Sequence, residues 1–265
     1  MIDTANYWQY LAPVFIGLAT GLLSGTFGVG GGIVATPLLR LCLGMSAHEA
    51  IGTTLSIIFP TSLSGTYNYY KLGLVDVKFV RLLIIPAVLA TFIGAQLTTV
   101  VQGQALMLSF AGLILLAGSD LVSGYSDGLK KKNEDKVQYQ TPDLKHAIPV
   151  GLAAGLLSGF FGVGGGFIMI PMFLALFSMP VKMALGTSLL AVACIAIPGT
   201  LTHLYLDHVR FAVALPMVLG AIPGSILGSK IALKTKDSSL KKAFGYIMLA
   251  MATTMILSEC GIMKF

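Results

Sequence analysis

Two short glycine runs, Gly28–Gly32 and Gly162–Gly166, carry the chemistry that this sequence offers. Each reads GVGGG, and adjacent glycines break a helix and leave backbone N–H groups unpaired. An apolar, helix-like segment begins straight after each run, so the loop also presents a helix N-terminus with its partial positive charge. N–H groups that converge at such a start form a nest for an anion. The candidate substrate-binding residues are Gly28, Gly30, Gly31, Gly32, Gly162, Gly164, Gly165 and Gly166, and the bland alternative is a tight hairpin turn. Thr53 and Thr54, with Thr187 and Ser188 at the equivalent places further on, add hydroxyl donors; their alternative is bonding to the carbonyl one turn back. Ser24 and Ser158 precede the runs and read as interhelical packing. His203 reads as a hydrogen-bonding residue near a helix end, with proton coupling as its alternative.

Other chemistries lack their residues. GVGGGI has no third glycine of a dinucleotide fingerprint, and no GK[ST] follows it. No Ser-His-Asp set, carboxylate pair or metal-ligand spacing occurs, and Cys42, Cys194 and Cys260 stand singly in apolar runs. We therefore expect no enzyme, no catalytic residue, no metal and no cofactor.

The elements that must position the glycine runs are duplicated. Gly17–Pro37 (GLATGLLSGTFGVGGGIVATP) and Gly151–Pro171 (GLAAGLLSGFFGVGGGFIMIP) agree at 15 of 21 positions at an offset of 134. The same offset carries Ala50–Leu55 (AIGTTL) onto Ala184–Leu189 (ALGTSL). Residues 1–125 and 147–265 are thus two homologous repeats, joined by a polar linker at 126–146 that contains KKKNEDK. Each repeat holds five apolar elements: Tyr10–Phe27, Gly32–Leu43, Ala47–Tyr70, Phe79–Val101 and Ala105–Tyr125, then Ile148–Phe161, Gly166–Met179, Met183–Leu206, Phe211–Leu233 and Phe244–Cys260. Gly17, Gly21 and Gly25, like Gly151, Gly155 and Gly159, fall four apart, a spacing that lets another helix backbone approach closely.

Composition names the solvent. Of 265 residues, 55% are hydrophobic and 11% charged, and the 31 glycines bring the apolar share to about two-thirds. Mean hydropathy is +0.86. A soluble chain of this length has too little interior for that surface, so most of it faces lipid. Backbone in lipid must bond internally, and no alternating strand pattern is present, so the fold class is an all-α polytopic membrane protein of about 8–10 membrane segments. The N-terminus lacks a basic stretch, so the first apolar element is expected to be retained rather than cleaved. Net charge is +6, yet the basic residues lie in short loops, where they set topology rather than bind nucleic acid.

Gly32–Leu43 is about 18 Å of helix, too short to cross. A re-entrant hairpin, two short spans and one broken helix are all compatible with it. If each Gly-rich pair enters and leaves on one face, with the N- and C-termini outside and the central loop cytoplasmic, 14 basic residues fall inside and 3 (Arg40, Arg210, Lys264) outside. The two repeats are then inverted, the plan of secondary transporters with a midplane site.

The doubled SGxFGVGGG motif, the doubled A-x-GT[TS]L and the polar central loop resemble the TauE/SafE family of sulfite exporters and related anion permeases, over about Gly17 to Leu257. The resemblance implies a multi-pass plasma-membrane transporter of sulfite, an organosulfonate or another small anion. Without an ATP-binding motif, transport would be secondary, by alternating access. The rival classes are an anion channel and an accessory membrane subunit that moves nothing alone. The expected partners are a small anionic substrate and the lipid bilayer, with homo-oligomerisation open at this stage.

Overall fold

Each glycine run ends one helix and starts the next. In the computed structural model, which describes residues 4–123, 139 and 142–261 (backbone only for 4–10), the first repeat folds as α1 (Thr4–Phe27), α2 (Gly32–Leu43), α3 (Ala47–Lys71), α4 (Val77–Leu97) and α5 (Gly103–Ser123). The second repeat gives α6 (Leu144–Phe161), α7 (Gly166–Phe177), α8 (Val181–Tyr205), α9 (Phe211–Lys234) and α10 (Asp237–Glu259). Most boundaries follow the apolar pattern. The largest difference is α10, which begins at Asp237 rather than Phe244, because the polar DSSLKK turn winds as helix beyond the apolar stretch. Most of the linker, including Lys130–Lys132, lies outside the described residues.

Six of these helices (α4, α5, α6, α8, α9, α10) are long and apolar enough to cross a membrane, whereas α2 and α7 are short. Large apolar side chains such as Ile85, Leu116, Leu215 and Leu219 point outward, as a lipid-facing surface requires. Among the described residues no strand is present.

The repeats pair by exchange. The small-residue stripe of α1 lies on α9, with Gly17 against Met217, Gly21 against Ala221 and Gly25 against Ser225. The same register recurs between α6 and α4, with Gly151 on Leu83, Gly155 on Ala87 and Gly159 on Thr91. A Cβ at Gly224 or Gly159 would sit within 3 Å of the facing backbone, so the glycine spacing sets these two contacts as expected. At the centre α3 crosses α8 in opposite directions: Gly52 near the start of α3 meets His208, and Tyr69 near its end meets Gly186. At the periphery α5 and α10 are likewise antiparallel, with Gln104 Nε2 donating to the Glu259 carbonyl (2.8 Å) and Gly118 against Met248. Stacked ring pairs repeat too: Phe27 on Phe244 (5.1 Å) and Phe110 on Phe161 (5.3 Å).

The pair α1–α2 is a hairpin. Gly31 folds back against Thr20 and Ser24, and Ile16, Ala35 and Leu39 share one buried cluster further along. A broken helix that continues in one direction is therefore excluded. The far end of this hairpin is pinned by Arg40, which bonds Glu259 of α10 (Nε, 2.9 Å) and the Met45 carbonyl (3.1 Å). Ser46 and Glu49 then start α3 with a reciprocal capping box.

Candidate functional site: the facing glycine loops

The two loops meet. A Cβ on Gly166 would fall 2.7 Å from the Cα of Val29, and one on Gly32 would lie 2.7 Å from the Val163 carbonyl oxygen. Gly30 and Gly164 both rest on Val192 and Ile58, the midpoints of α8 and α3, so the junction lies halfway along the central pair. All residues from Gly28 to Gly32 and from Gly162 to Gly166 are buried. Left-handed backbone is what permits the turn: Gly31, the N-cap of α2, has φ 90°, and its equivalent Gly165 has φ 73°.

The hydrogen-bond account of the loops is incomplete. Gly28 N donates to the Ser24 carbonyl (2.8 Å), and Val34 and Ala35 N donate to the Gly31 carbonyl (3.1 and 2.9 Å). Between them, the N–H groups of Val29, Gly30, Gly31, Gly32 and Ile33 reach no acceptor among the described residues. The second loop repeats this, with Gly162, Ile168 and Met169 bonded and the amides from Val163 to Phe167 not. Buried backbone donors are almost always paired. Two unpaired sets on adjoining loops, each at a helix N-terminus, give the junction a positive potential without a cation.

No Lys, Arg, Asp or Glu is buried among the described residues, and His203 is the one buried histidine there. The four hydroxyls singled out in the sequence are all fully buried and have protein partners. Thr53 Oγ1 accepts from Arg210 N (3.0 Å), and Thr187 Oγ1 accepts from Asp76 N (2.9 Å), two bonds related by the repeat offset. Thr54 Oγ1 pairs with Thr36 Oγ1 (3.1 Å). Ser188 Oγ donates to the Gly28 carbonyl (2.6 Å) and so holds the first loop in place. These bonds fix the start of α4 and α9 as well as the loop, a role the spacing alone does not show.

Tyr69 and His203 are equivalent by offset and anchor the helices that lead into the loops. Tyr69 Oη donates to the Gly25 carbonyl (3.0 Å), and His203 Nε2 lies 3.4 Å from the Gly159 carbonyl. His203 Nδ1 also faces His208 Nδ1 (3.1 Å), and the His48 ring stands 5.2 Å from that of His208. Among the described residues no group of His, Cys, Asp and Glu could hold a metal ion.

Sequence reasoning missed Thr20 and Ser62. With Ser24 they border the first loop: Thr20 and Ser24 flank Gly31, and Ser62 Oγ lies 3.1 Å from where a Gly30 Cβ would stand. All three hydroxyls are fully buried and without a partner. The signal was present as a difference between the repeats, since the equivalents of Thr20 and Ser62 are Ala154 and Ala196.

Architecture and site together define a helical, multi-pass membrane protein whose two repeats bring their glycine loops to one buried junction. The chain belongs to the TauE/SafE family: the description "Sulfite exporter TauE/SafE" matches residues 14–255. It is similar to a probable membrane transporter protein of Xylella fastidiosa, 30% identical over 244 residues and 91% of each chain. It is also similar to the probable membrane transporter protein YunE of Bacillus subtilis, 28% identical over 270 residues, covering 95% of this chain and 96% of the relative. No solved structure matches it.

Proposed function

We propose that this membrane transporter carries a small sulfur-containing oxyanion, sulfite or an organosulfonate, out across the plasma membrane, with the anion held between the two glycine loops. The observation that carries the reading is the pair of facing, unpaired amide sets at Val29–Ile33 and Val163–Phe167. Each amide left without an acceptor costs about 1–3 kcal/mol. An oxyanion at the junction would satisfy several at once, with the dipoles of α2 and α7 adding to the attraction. Gly28, Gly30, Gly31, Gly32, Gly162, Gly164, Gly165 and Gly166 supply that backbone. Thr53 and Thr54 share α3 with Ile51 and Ile58, and Thr187 shares α8 with Leu185, all of which touch the loops, and Ser188 positions Gly28. Export is the direction carried by the family's description.

Alternating access follows from inverted repeats, for which the antiparallel crossing of α3 and α8 and the exchanged pairs α1–α9 and α6–α4 are the support. Two equivalent hairpins that trade conformations would open the junction to either face in turn. Arg40 and Arg210 share one end of the bundle, and the greater number of lysines lies in loops at the other. That distribution supports an orientation with the termini outside and the central loop in the cytoplasm.

The test is thermal stabilisation of the purified protein against an anion panel, since a ligand of the native state raises apparent stability by mass action. Sulfite or methanesulfonate should raise the melting temperature, while chloride, and phosphate at mildly alkaline pH, should not. A flat response to every oxyanion would remove the basis of this reading.

A further inference from the structure

The two loops are related by the repeat, but their surroundings are not. Around the first, Thr20, Ser24 and Ser62 bring three fully buried hydroxyls with no partner. Around the second, Ala154 and Ala196 stand where Thr20 and Ser62 stand in the first, and of that trio only Ser158 remains polar. Ser158 is likewise fully buried and without a partner, so the balance is three such hydroxyls beside the first loop against one beside the second. A serine or threonine within a helix ordinarily bonds the carbonyl a turn back, as Thr61, Thr66 and Thr91 do here. Three that do not, gathered at one helix N-terminus with five unpaired amides, are groups waiting for an acceptor.

The charge of that acceptor is limited by what lies around it. Among the described residues no lysine or arginine is buried, and His203 touches Gly159 on the side of the second loop. Donors at the first loop are therefore neutral N–H and O–H groups. The cost of desolvating an ion grows with the square of its charge, whereas the attraction of neutral donors grows only in proportion to it. Neutral donors therefore suit a single charge far better than a double one. Hydroxyls also accept, which amides cannot, so they can receive the proton of a protonated oxyanion.

Resting on the function proposed above, we infer that the anion between the two loops sits off-centre towards the first, where Thr20, Ser24 and Ser62 add to the amides of Val29–Ile33 while the second loop offers chiefly its amides, and that the site selects monovalent oxyanions: hydrogensulfite or a sulfonate, against sulfate or fully ionised sulfite.

The experiment is a binding titration of the detergent-purified protein with methanesulfonate, sulfite and sulfate. Methanesulfonate should bind and sulfate should bind at least tenfold more weakly. Apparent sulfite affinity should rise as the pH is lowered through its second dissociation, in step with the hydrogensulfite fraction. Thr20→Val, Ser24→Ala and Ser62→Ala should each weaken methanesulfonate binding about tenfold, the loss of one hydrogen bond to a charged group. Thr20→Ser, which keeps the O–H, should bind like the parent, and Ser158→Ala should change affinity less than Ser24→Ala does. Equal binding of sulfate, equal losses in Ser24→Ala and Ser158→Ala, or unaltered affinity in all three hydroxyl variants would each overturn the inference while leaving an anion site at the junction. Absence of binding by the parent protein to any oxyanion would instead remove the reading beneath it.

Discussion

Gly32→Ala is the smallest change that should part the two loops. Gly32 carries no backbone strain that a side chain would worsen, so its effect is purely one of space. The added methyl would lie 2.7 Å from the Val163 carbonyl oxygen and press on its Cα. Ordinary contact requires about 3.5 Å, so the loops must separate by close to 1 Å. An anion bonded to both loops at about 2.9 Å can then follow only one of them, because a bond stretched towards 3.9 Å is no longer made. Losing two hydrogen bonds to a charged ligand, at about 1.5–3 kcal/mol each, weakens binding by about 10²–10⁴-fold. The fold should survive, since alanine is the better helix former by up to about 1 kcal/mol and the clash is confined to the junction. Gly112→Ala, within α5 and facing open space, is the control that should leave binding unchanged. Calorimetric titration with sulfite, on samples shown to be monodisperse, reads the difference. Gly32→Ala binding within threefold of the parent would refute the argument, as would Gly166→Ala, its counterpart against Val29.

Gly31→Val and Gly165→Val force a branched side chain into left-handed backbone beside Thr20 and Ala154, and should abolish anion binding while the protein still inserts, as detergent-solubilised yield and binding assays would report. Ser188→Ala leaves the buried Gly28 carbonyl without its donor and should lower stability by about 1–3 kcal/mol, measured by thermal unfolding. His208, in the α8–α9 connection, is held below its ordinary value of 6.5 first by burial and then by the charge of His48, against weaker opposing pulls from Asp207 and Glu49. The unfolded chain therefore takes up this proton first as the pH falls, so stability should decline below about pH 6.5, and His208→Gln should flatten that slope.

Much of this arrangement is legible in the sequence. The repeat offset predicts the equivalence of the loops, and the GxxxG spacing predicts that α1 and α6 each take a close partner. It does not say which: α9 and α4 become the partners because α1 and α6 exchange across the repeats, and local spacing carries no information about that. The hydroxyls divide the same way. Thr53, Thr54, Thr187 and Ser188 stand out because the repeat preserves a polar group, yet part of what it preserves is the anchoring of Arg210, Asp76 and Gly28. Thr20 and Ser62 escape notice because the repeat does not preserve them. Their environment is set by packing between α1, α3 and the loop, and a single position shows its polarity but not its missing partner. The early start of α10 at Asp237 is hidden for another reason, because apolar periodicity marks the membrane-facing length of a helix and not its polar first turn.

Transport itself gives the most direct test. Protein reconstituted alone into sealed liposomes, preloaded with radiolabelled sulfite, should release it with a rate that saturates as internal sulfite is raised and that responds to an imposed ion gradient. Gly32→Ala should remove the saturable component. A flux that rises linearly without saturation would mark a channel instead, and no flux above empty liposomes would contradict a transporter that works alone.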